Sequence, residues 1–489
     1  MRASGILMPI FSLPSPYGIG SFGKEAYNFV DFLSEAGQSY WQILPLGPTG
    51  FGDSPYQSFS SFAGNPYFID LDILKEWGYL NRAEYENGDY GSGVGVDYGK
   101  LYLNRLPVLA KAAEHFKENP HPEYAEFCKT YKHWLNDYAL FMAIKGSGIS
   151  LKEFPIKLKK REKDAMSEAQ KQYDSEIETI KIIQFFFFKQ WKKLKEYANK
   201  KGIKIIGDIP IYVSSDSADL WANADQFLLD DKFEPTLVAG CPPDAFCEDG
   251  QLWGNPLYNW DKMQEDGFTW WQSRIAHSAI LYDVVRIDHF RAFDEYFAIP
   301  FGSKTAKSGA WKKGPKMALI NAINKVKGIK IIAEDLGFLT DSVIELLKSS
   351  GYPGMAVLQF AFDPKTNSRY LPHNIEKNSV VYIGTHDNDT VNGWINTISP
   401  GEFRFCTEYL RLNTSEGYNW GMIKAALSCA ADTCILQMQD LLGLGSEGRI
   451  NTPSTDENNW QWRISEGCIN SWLAGILKEQ TEIYRRIQE

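Results

Sequence analysis

Short runs of apolar, β-branched residues that end in a carboxylate recur along the second half of this chain. Three of these runs end at Asp288, Glu334 and Asp387. A continuous apolar run of this length is typical of a strand buried on both faces of a parallel sheet. Because the carboxyl ends of parallel barrel strands share one face, we expect the three carboxylates to meet at one pocket.

Amphipathic helices alternate with these apolar runs, and this alternation predicts an α/β fold with a parallel sheet. The runs number eight, and eight parallel strands close a (β/α)8 TIM barrel. We therefore predict that residues 1–489 form a single catalytic barrel. The predicted strands begin at Tyr40, Pro66, Ile203, Val284, Ile329, Met355, Val380 and Cys434.

Two stretches depart from this alternation and are predicted to be inserts. Residues 73–201 are rich in charge and have long amphipathic stripes, which predicts a mainly helical insert. Residues 212–267 are dense in Gly, Pro, Asp and Trp. We expect them to form a loop-rich cover over the active site, because long loops in compact domains are usually functional. A first helix is expected at 24–36, ended by Gly37.

The charge balance argues against a nucleic-acid binder. The net charge is −10, and no basic stripe is present to neutralise phosphates. Aromatic residues make up 14% of the chain, with 15 Trp and 25 Tyr, a composition that suits a carbohydrate site. For any single ring, however, a place in the core is the better interpretation.

Other sequence features indicate the cellular compartment of the protein and argue against a bound metal or cofactor. The seven cysteines are dispersed without a CxxC pair, as is typical of reduced cytosolic thiols. The N-terminal region lacks a signal-peptide pattern, and no apolar run is long enough to span a bilayer. We therefore expect a cytoplasmic protein without membrane partners. We expect no metal and no cofactor, because no HExxH spacing and no GxGxxG after a strand occur.

The three strand-end carboxylates predict the chemistry of a retaining glycosidase or glycosyl transferase. Arg286 stands two residues before Asp288, so both side chains point to the same side of the strand. Arg286 is therefore expected to keep Asp288 ionised, as a nucleophile requires. Glu334 follows an apolar stem that raises its pKa, which suits a general acid. Asp387 would grip sugar hydroxyls as the third carboxylate.

Each of these acids alone has a plausible structural interpretation. Asp288 and Arg286 would also be compatible with a purely structural salt bridge at the rim of the barrel. Three carboxylates on separate strands, with Asp208 as a fourth strand-end acid, favour a catalytic site. His289 and His386 each stand beside a proposed catalytic aspartate, which suggests recognition of hydroxyl groups.

The motifs of this chain resemble those of the 4-α-glucanotransferases called amylomaltase or disproportionating enzyme, which are related to the α-amylase barrels. The resemblance runs nearly from end to end and includes the three acid motifs. The other matching motifs are GIG at 18–20, YWQILPLGP at 40–48, DSPYQ at 53–57, GDIPIYV at 207–213, GCPPD at 240–244, QLWGNP at 251–256, QDLLG at 439–443 and RINTP at 449–453.

The resemblance implies a role for each site residue. Asp288 is implied as the nucleophile, Glu334 as the acid/base and Asp387 as the stabiliser of the transition state. Phe246 is expected at the tip of a loop over the site. The residues implied to contact the substrate are Tyr56, Asp208, Trp253, Arg286, His289, His386 and Asn451.

The implied activity is transfer of a segment of an α-1,4-glucan, as in maltooligosaccharides, to an acceptor glucan or glucose. A retaining mechanism predicts that the carboxyls of Asp288 and Glu334 lie about 5–5.5 Å apart. One alternative is an α-1,4-glucan hydrolase that uses the same carboxylates. Another is a glucan-binding protein without catalytic activity.

Overall fold

The computed structural model describes residues 2–91, 95–243, 248–455 and 457–487. Its strands are β1 Ala3–Leu7, β2 Tyr40–Gln42, β3 Lys204–Ile209, β4 Leu237–Cys241, β5 Gln251–Pro256, β6 Val284–Ile287, β7 Glu295–Pro300, β8 Ala310–Lys313, β9 Lys330–Ala333, β10 Gly354–Val357, β11 Ser379–Tyr382 and β12 Thr433–Gln437. Its helices are α1 Lys24–Glu35, α2 Leu71–Glu76, α3 Tyr98–Glu118, α4 Tyr124–Lys145, α5 Ile156–Lys159, α6 Lys163–Gln172, α7 Asp174–Lys200, α8 Ala218–Ala222, α9 Trp260–Glu265, α10 Thr269–Leu281, α11 Lys316–Ile323, α12 Asp341–Ser350, α13 Val391–Ile395, α14 Pro400–Leu410, α15 Tyr418–Ser428, α16 Met438–Leu441 and α17 Ser471–Ile483.

Eight strands form one sheet in the order β10, β11, β12, β1, β2, β3, β6, β9. Neighbouring strands in this order are parallel. The two end strands also meet, because the N–H of Ala333 on β9 donates to the carbonyl oxygen of Pro353 beside β10 at 3.0 Å. The predicted (β/α)8 barrel is confirmed.

One of the eight predicted strands is wrong. The segment that begins at Pro66 forms a single turn of 3-10 helix, Pro66–Phe68, in which the Asn65 side chain accepts from the N–H of Tyr67. A proline after a capping asparagine favours such a turn over a strand, because proline cannot donate to a ladder. The eighth barrel strand is instead β1, which pairs with both β12 and β2.

The remaining strands form an antiparallel sheet in the order β5, β4, β7, β8. Both β4 and β5 belong to residues 212–267, so this stretch is more regular than the expected loop-rich cover. β7 follows directly after the turn that leaves β6. The small sheet therefore stands at the carboxyl ends of the barrel strands.

Helix α7 fixes the long loop that follows β2 to the helical part of the chain. Two glutamines of α7 make paired amide bonds to this loop. The Gln184 amide accepts from Gly64 N–H at 2.7 Å and donates to its carbonyl at 2.9 Å. Gln190 makes the same pair of bonds to Asp70, at 2.7 and 3.0 Å. Since Tyr56 lies in this loop, α7 helps to hold one wall of the barrel mouth.

The helices predicted for residues 73–201 are present as α3 to α7. The predicted first helix is present as α1, and Gly37 follows it with a φ of 68°. Within the described ranges, no helix combines the length and the apolar character that crossing a membrane would require.

Candidate active site

A cavity of about 600 Å³ opens at the carboxyl ends of the barrel strands. Eight of the ten predicted site residues line it, namely Tyr56, Trp253, Asp288, His289, Glu334, His386, Asp387 and Asn451. The other two, Asp208 and Arg286, lie beneath it and are fully buried. The structure thus brings all ten residues to one place.

Arg286 links two of the carboxylates below the cavity. Its Nη1 lies 2.6 Å from Asp208 Oδ2, and its Nη2 lies 3.0 Å from Asp288 Oδ1. The first contact follows from the sheet, because Asp208 on β3 is in register with Arg286 on β6. The second contact was expected, because Arg286 and Asp288 are two residues apart at the end of one strand and their side chains therefore point to the same side. Although burial lowers the pKa of Arg286, the two carboxylates raise it well above its usual value.

Asp208 is the most deeply buried acid of the site. Burial raises the pKa of Asp208, and the charge of Arg286 opposes this rise. Its Oδ2 accepts a second bond, from the hydroxyl of Tyr56 at 2.9 Å. Two donors on one oxygen, Arg286 Nη1 and the Tyr56 hydroxyl, keep the carboxylate fixed below the cavity.

Tyr56 links Asp208 to His386, the residue that precedes Asp387. Its hydroxyl lies 2.9 Å from His386 Nε2, and the two rings are stacked at an angle of 14°. The phenol has one proton, which it donates to Asp208, so its oxygen is free to accept from His386 Nε2–H. The same nitrogen lies 3.4 Å from Asp387 Oδ1. These contacts connect Asp208 at the floor of the cavity to Asp387 at its rim. Tyr56, His386 and Asp387 are called here the polar wall.

Glu334 is held in a different way, by backbone N–H groups. Its Oε2 accepts from His289 at 2.6 Å, and its Oε1 accepts from Leu336 at 2.7 Å. Its side chain makes no ion pair with a lysine or arginine of the described chain. Burial and the charge of Asp288 raise the pKa of Glu334 to about 7.

The bond from His289 depends on an unusual backbone conformation. His289 has a φ of 54°, in the left-handed region that non-glycine residues seldom occupy. Such conformations persist where the surrounding structure requires them, often at functional sites. The His289 ring packs edge-on against Trp253, with centroids 4.9 Å apart. Burial lowers the pKa of this imidazole to about 4, so the ring is neutral.

Asp387 is the most exposed of the three acids, with 40% of its side chain accessible. Asn451 donates to its Oδ1 at 2.7 Å. Arg449 donates to its backbone carbonyl at 2.8 Å and to that of Asn451 at the same distance. These bonds hold the carboxylate at the rim of the cavity.

Several residues that line the cavity were not among the predicted contacts. They are Ser54, Gln57, Pro210, Ile211, Tyr212, Gly250, Gln251, Leu252, Asn255, Pro453, Ser454 and Trp460. Most of them lie within the motifs that carry the resemblance to the 4-α-glucanotransferases. Membership in those motifs was therefore the sequence signal that could have identified them as lining residues. Trp460 lies in an irregular segment without a motif, and its ring packs against Tyr56 at 5.7 Å.

Two further expectations concern this region. Phe246, expected at the tip of a loop over the site, lies outside the described residues. Among the residues that are described, no group of three or more His, Cys, Asp or Glu side chains is arranged to hold a metal ion.

Comparisons with known proteins agree with this geometry. Residues 8–469 match the family model described as 4-α-glucanotransferase. A 4-α-glucanotransferase of Clostridium butyricum is 50% identical over 98% of this chain and 100% of its own length. One from Streptococcus pneumoniae is 47% identical over 100% of this chain and 98% of its own length.

A solved structure also matches over the full length. It is the amylomaltase of Streptococcus agalactiae in complex with acarbose, which covers 100% of both chains with a TM-score of 0.97 and 42% identity. The match extends over the barrel and over the elements that build its mouth. This chain belongs to the 4-α-glucanotransferase family.

Proposed function

We propose that this enzyme transfers a segment of an α-1,4-glucan to the 4-hydroxyl of an acceptor glucan or of glucose, with retention at the anomeric carbon. The observation that supports this most directly is the contrast between Asp288 and Glu334 at one mouth. Asp288 is paired with a guanidinium, whereas Glu334 has a pKa raised to about 7. A nucleophile and an acid/base need these two environments.

In the first step, Asp288 attacks the anomeric carbon of the donor. Arg286 holds Oδ1 at 3.0 Å, so Oδ2 is the oxygen that forms the new bond. As that bond forms, the glycosidic bond breaks, and Glu334 gives its proton to the leaving oxygen. The products of this step are a covalent glycosyl-enzyme and a shortened glucan with a free 4-hydroxyl.

In the second step, an acceptor replaces the leaving glucan. Glu334, now ionised, takes the proton of the acceptor 4-hydroxyl. The oxygen attacks the anomeric carbon, and the bond to Asp288 breaks. Two inversions give net retention, and the enzyme returns to its starting protonation state.

The polar wall would recognise the sugar that is cleaved. Asp387 and His386 face the cavity beside Tyr56 and are placed to hold hydroxyl groups of the donor. Hydrogen bonds to a carboxylate strengthen as positive charge develops on the ring in the oxocarbenium-like transition state. Asn451, which donates to Asp387 at 2.7 Å, keeps that carboxylate in place.

We propose that residues 212–267 favour transfer over hydrolysis. Four residues of β5, Gln251, Leu252, Trp253 and Asn255, line the cavity and so narrow its mouth. A covered site disfavours water as the acceptor of the glycosyl-enzyme. In this proposal the whole chain, 1–489, is one catalytic unit, with 73–201 and 212–267 as inserts.

We further infer a cytoplasmic location for the reaction. Five described cysteines are free thiols, and three of them are buried; the five are Cys128, Cys406, Cys429, Cys434 and Cys468. Unpaired thiols in this number are typical of a reducing compartment.

The proposed function is tested by incubation with maltotriose as the sole substrate. Free glucose, total reducing ends and the ladder of oligomers are followed over time. Glucose and longer maltodextrins at a constant number of reducing ends are the expected result, because each transfer conserves them. A rise in reducing ends with only shorter products would identify a hydrolase instead. Heat-treated enzyme is the blank.

A further inference from the structure

Asp335 directly follows Glu334, the proposed acid/base, but it is not among the described residues that line the active-site cavity. Its side chain is only 2% exposed. Burial of a carboxylate is costly unless the group is paired with a cation or accepts hydrogen bonds. The partners of Asp335 therefore show what this carboxylate does in the fold.

The two oxygens of Asp335 have different partners. Oδ1 accepts from the N–H of Met355 on β10 at 2.6 Å. Oδ2 lies 2.6 Å from Nη2 of Arg369, whose guanidinium packs over the ring of Tyr370 at 4.8 Å. Although burial lowers the pKa of Arg369, the charge of Asp335 raises it above its usual value. The carboxylate is therefore held by a strand N–H on one side and by a cation on the other.

The bond to Met355 closes the barrel where its two end strands meet. The N–H of Ala333 on β9 donates to the carbonyl oxygen of Pro353 beside β10. In a regular parallel ladder, a residue that donates in this way accepts from the N–H two positions further along its partner strand, which here is Met355. That N–H donates instead to Asp335 Oδ1. A side chain thus takes the place of a backbone acceptor between β9 and β10.

Gly354 leaves the space that this carboxylate occupies. A Cβ at that position would lie 2.7 Å from Asp335 Oδ1 and 2.9 Å from Leu347 Cδ2. Both separations are shorter than van der Waals contact, so a larger residue would displace either the carboxylate or the strand. The glycine therefore permits the close approach of Asp335 to β10.

Asp335 also fixes the backbone that orients Glu334. It stands between Glu334 and Leu336, whose N–H donates to Glu334 Oε1 at 2.7 Å. The N–H of Glu334 itself donates to the carbonyl oxygen of Ile287 on β6 at 3.0 Å. A shift of Asp335 would therefore move both the Glu334 side chain and one of its two N–H donors. A misplacement of about 1 Å can lower an enzymatic rate by a factor on the order of 100.

We propose that Asp335 is a positioning residue for Glu334. Its carboxylate joins β9 to β10 through the N–H of Met355 and so fixes the place from which Glu334 protonates the leaving oxygen. Arg369 balances the buried charge and holds the second oxygen. This inference rests on the proposed function, because that function makes Glu334 the acid/base.

The test compares Asp335→Ala with the wild type on two donors. With maltotriose, kcat should fall about 30-fold and KM should change less than about threefold, because the acid is displaced while the sugar contacts remain. With α-maltosyl fluoride, the single-turnover release of fluoride should stay within about threefold, since fluoride leaves without a proton. Equal losses with both donors would overturn the proposal. The loss would then reach Asp288, which both donors need, through Met355 Sδ and Arg286 Nε, 3.4 Å apart.

Asp335→Asn tests which contact of the carboxylate matters. The amide oxygen can still accept from Met355 N–H, and only the ion pair with Arg369 is lost. We expect kcat on maltotriose to recover to within about fivefold of the wild type, with the remaining loss again confined to maltotriose. A loss as large as that of Asp335→Ala would overturn the proposal. If Asp335→Ala does not fold, Asp335→Asn carries the comparison of donors, and equal losses with both would be decisive against it.

Asp283→Ala is the matched control at the opposite end of the barrel. Oδ2 of Asp283 accepts from the N–H of Ile205 on β3 at 2.8 Å, and its Oδ1 lies 3.8 Å from Lys195 Nζ. The control therefore loses the same two kinds of contact as Asp335→Ala. It should lower the temperature of thermal unfolding, but its activity with either donor should stay within about twofold of the wild type. A loss confined to maltotriose in the control would contradict the proposal, because loosening any barrel strand would then suffice.

Glu334→Gln separates this inference from the proposed function. If that variant loses no more rate with maltotriose than with α-maltosyl fluoride, Glu334 is not the acid, and the proposed function fails together with this inference. If Glu334→Gln loses rate mainly with maltotriose while Asp335→Ala loses rate equally with both donors, only the positioning role of Asp335 is wrong.

Discussion

On the Asp288 side of the barrel mouth the buried charges are paired, whereas on the Glu334 side a carboxyl is held by backbone N–H groups alone. Arg286 lies between Asp208 and Asp288 at 2.6 and 3.0 Å. Glu334 has instead two N–H donors, at 2.6 and 2.7 Å. The same functional group therefore meets a full positive charge on one side and only neutral dipoles on the other.

In the proposed mechanism this difference in surroundings distinguishes Asp288, the nucleophile, from Glu334, the acid/base, although both side chains carry the same functional group. Asp288 lies against the fixed positive charge of Arg286, at 3.0 Å. Burial next to another carboxylate favours the protonated form, and it raises the pKa of Glu334 to about 7. The assignment of roles thus depends on the surroundings, and the following substitutions change those surroundings one at a time.

The largest effect is expected for Asp288→Asn. The amide cannot form the covalent intermediate, so activity on maltotriose should fall by a factor on the order of 10⁴ or more. Binding of maltooligosaccharides should be retained, as isothermal calorimetry can show. Activity within tenfold of the wild type would remove Asp288 from the role of nucleophile.

A smaller loss is expected for Glu334→Gln, about 10² to 10⁴-fold with maltotriose, because the leaving oxygen is no longer protonated. α-Maltosyl fluoride needs no such proton, so its first step should be largely spared. In the wild type, the rate should decline as the pH rises above about 7, where Glu334 loses its proton. This decline should vanish in the variant. Its persistence in Glu334→Gln would assign the titration to another group.

Arg286→Lys should have an intermediate effect. A single ammonium cannot make both contacts of the guanidinium, so either Asp208 or Asp288 loses its partner. We expect activity to fall about 100-fold and the protein to lose about 1–3 kcal/mol of stability. Steady-state kinetics and urea denaturation measure the two losses. Arg449→Lys, at the rim, is the matched control and should affect stability less.

The smallest effect on activity is expected for Asp440→Asn. This variant tests whether a raised pKa is sufficient to identify a carboxyl group as the catalytic acid/base. Asp440 is buried, its Oδ1 accepts from Val391 N–H at 2.7 Å, and its Oδ2 has no partner among the described residues. Burial and the charge of Asp389 raise its pKa to about 7. It does not line the active-site cavity. Activity and its decline with pH should therefore match those of the wild type.

The stability of this variant should nevertheless depend on pH. The folded protein holds the Asp440 proton up to about pH 7, whereas the unfolded chain releases it near pH 4. Between these values the wild type loses stability as the pH rises. Asp440→Asn removes this loss, so it should be more stable than the wild type by about 1–3 kcal/mol near pH 8 and nearly equal near pH 4. Thermal unfolding at the two pH values provides the measurement.

The sequence predicted the placement of the acids well, because that placement follows from strand geometry. Asp288, Glu334 and Asp387 each follow an apolar run, and parallel barrel strands end at one face. The spacing of two residues also predicted the pairing of Arg286 with Asp288. The contact from Arg286 to Asp208 was not predictable in the same way, because it depends on β3 and β6 being neighbours.

Other features left weaker signals. The strand β1 has the sequence ASGIL, whose serine and glycine dilute the apolar pattern of a buried strand. The segment at Pro66 has the aromatic and β-branched composition of a strand, but the Asn65 cap turns it into a 3-10 helix. Trp460 lines the cavity from an irregular segment. In such a segment neither a hydrophobic period nor a motif indicates which way a side chain points. Such positions are determined by the tertiary structure.

The position of β1 between β2 and β12 has a consequence for synthesis on the ribosome. β1 is made first, yet one of its two partners, residues Thr433–Gln437, is made more than four hundred residues later. Until then an edge of the growing sheet stays unpaired, and unpaired edges favour aggregation. Closure of the barrel is therefore a late event in the life of each nascent chain, and chaperones have their main opportunity to protect it before that moment.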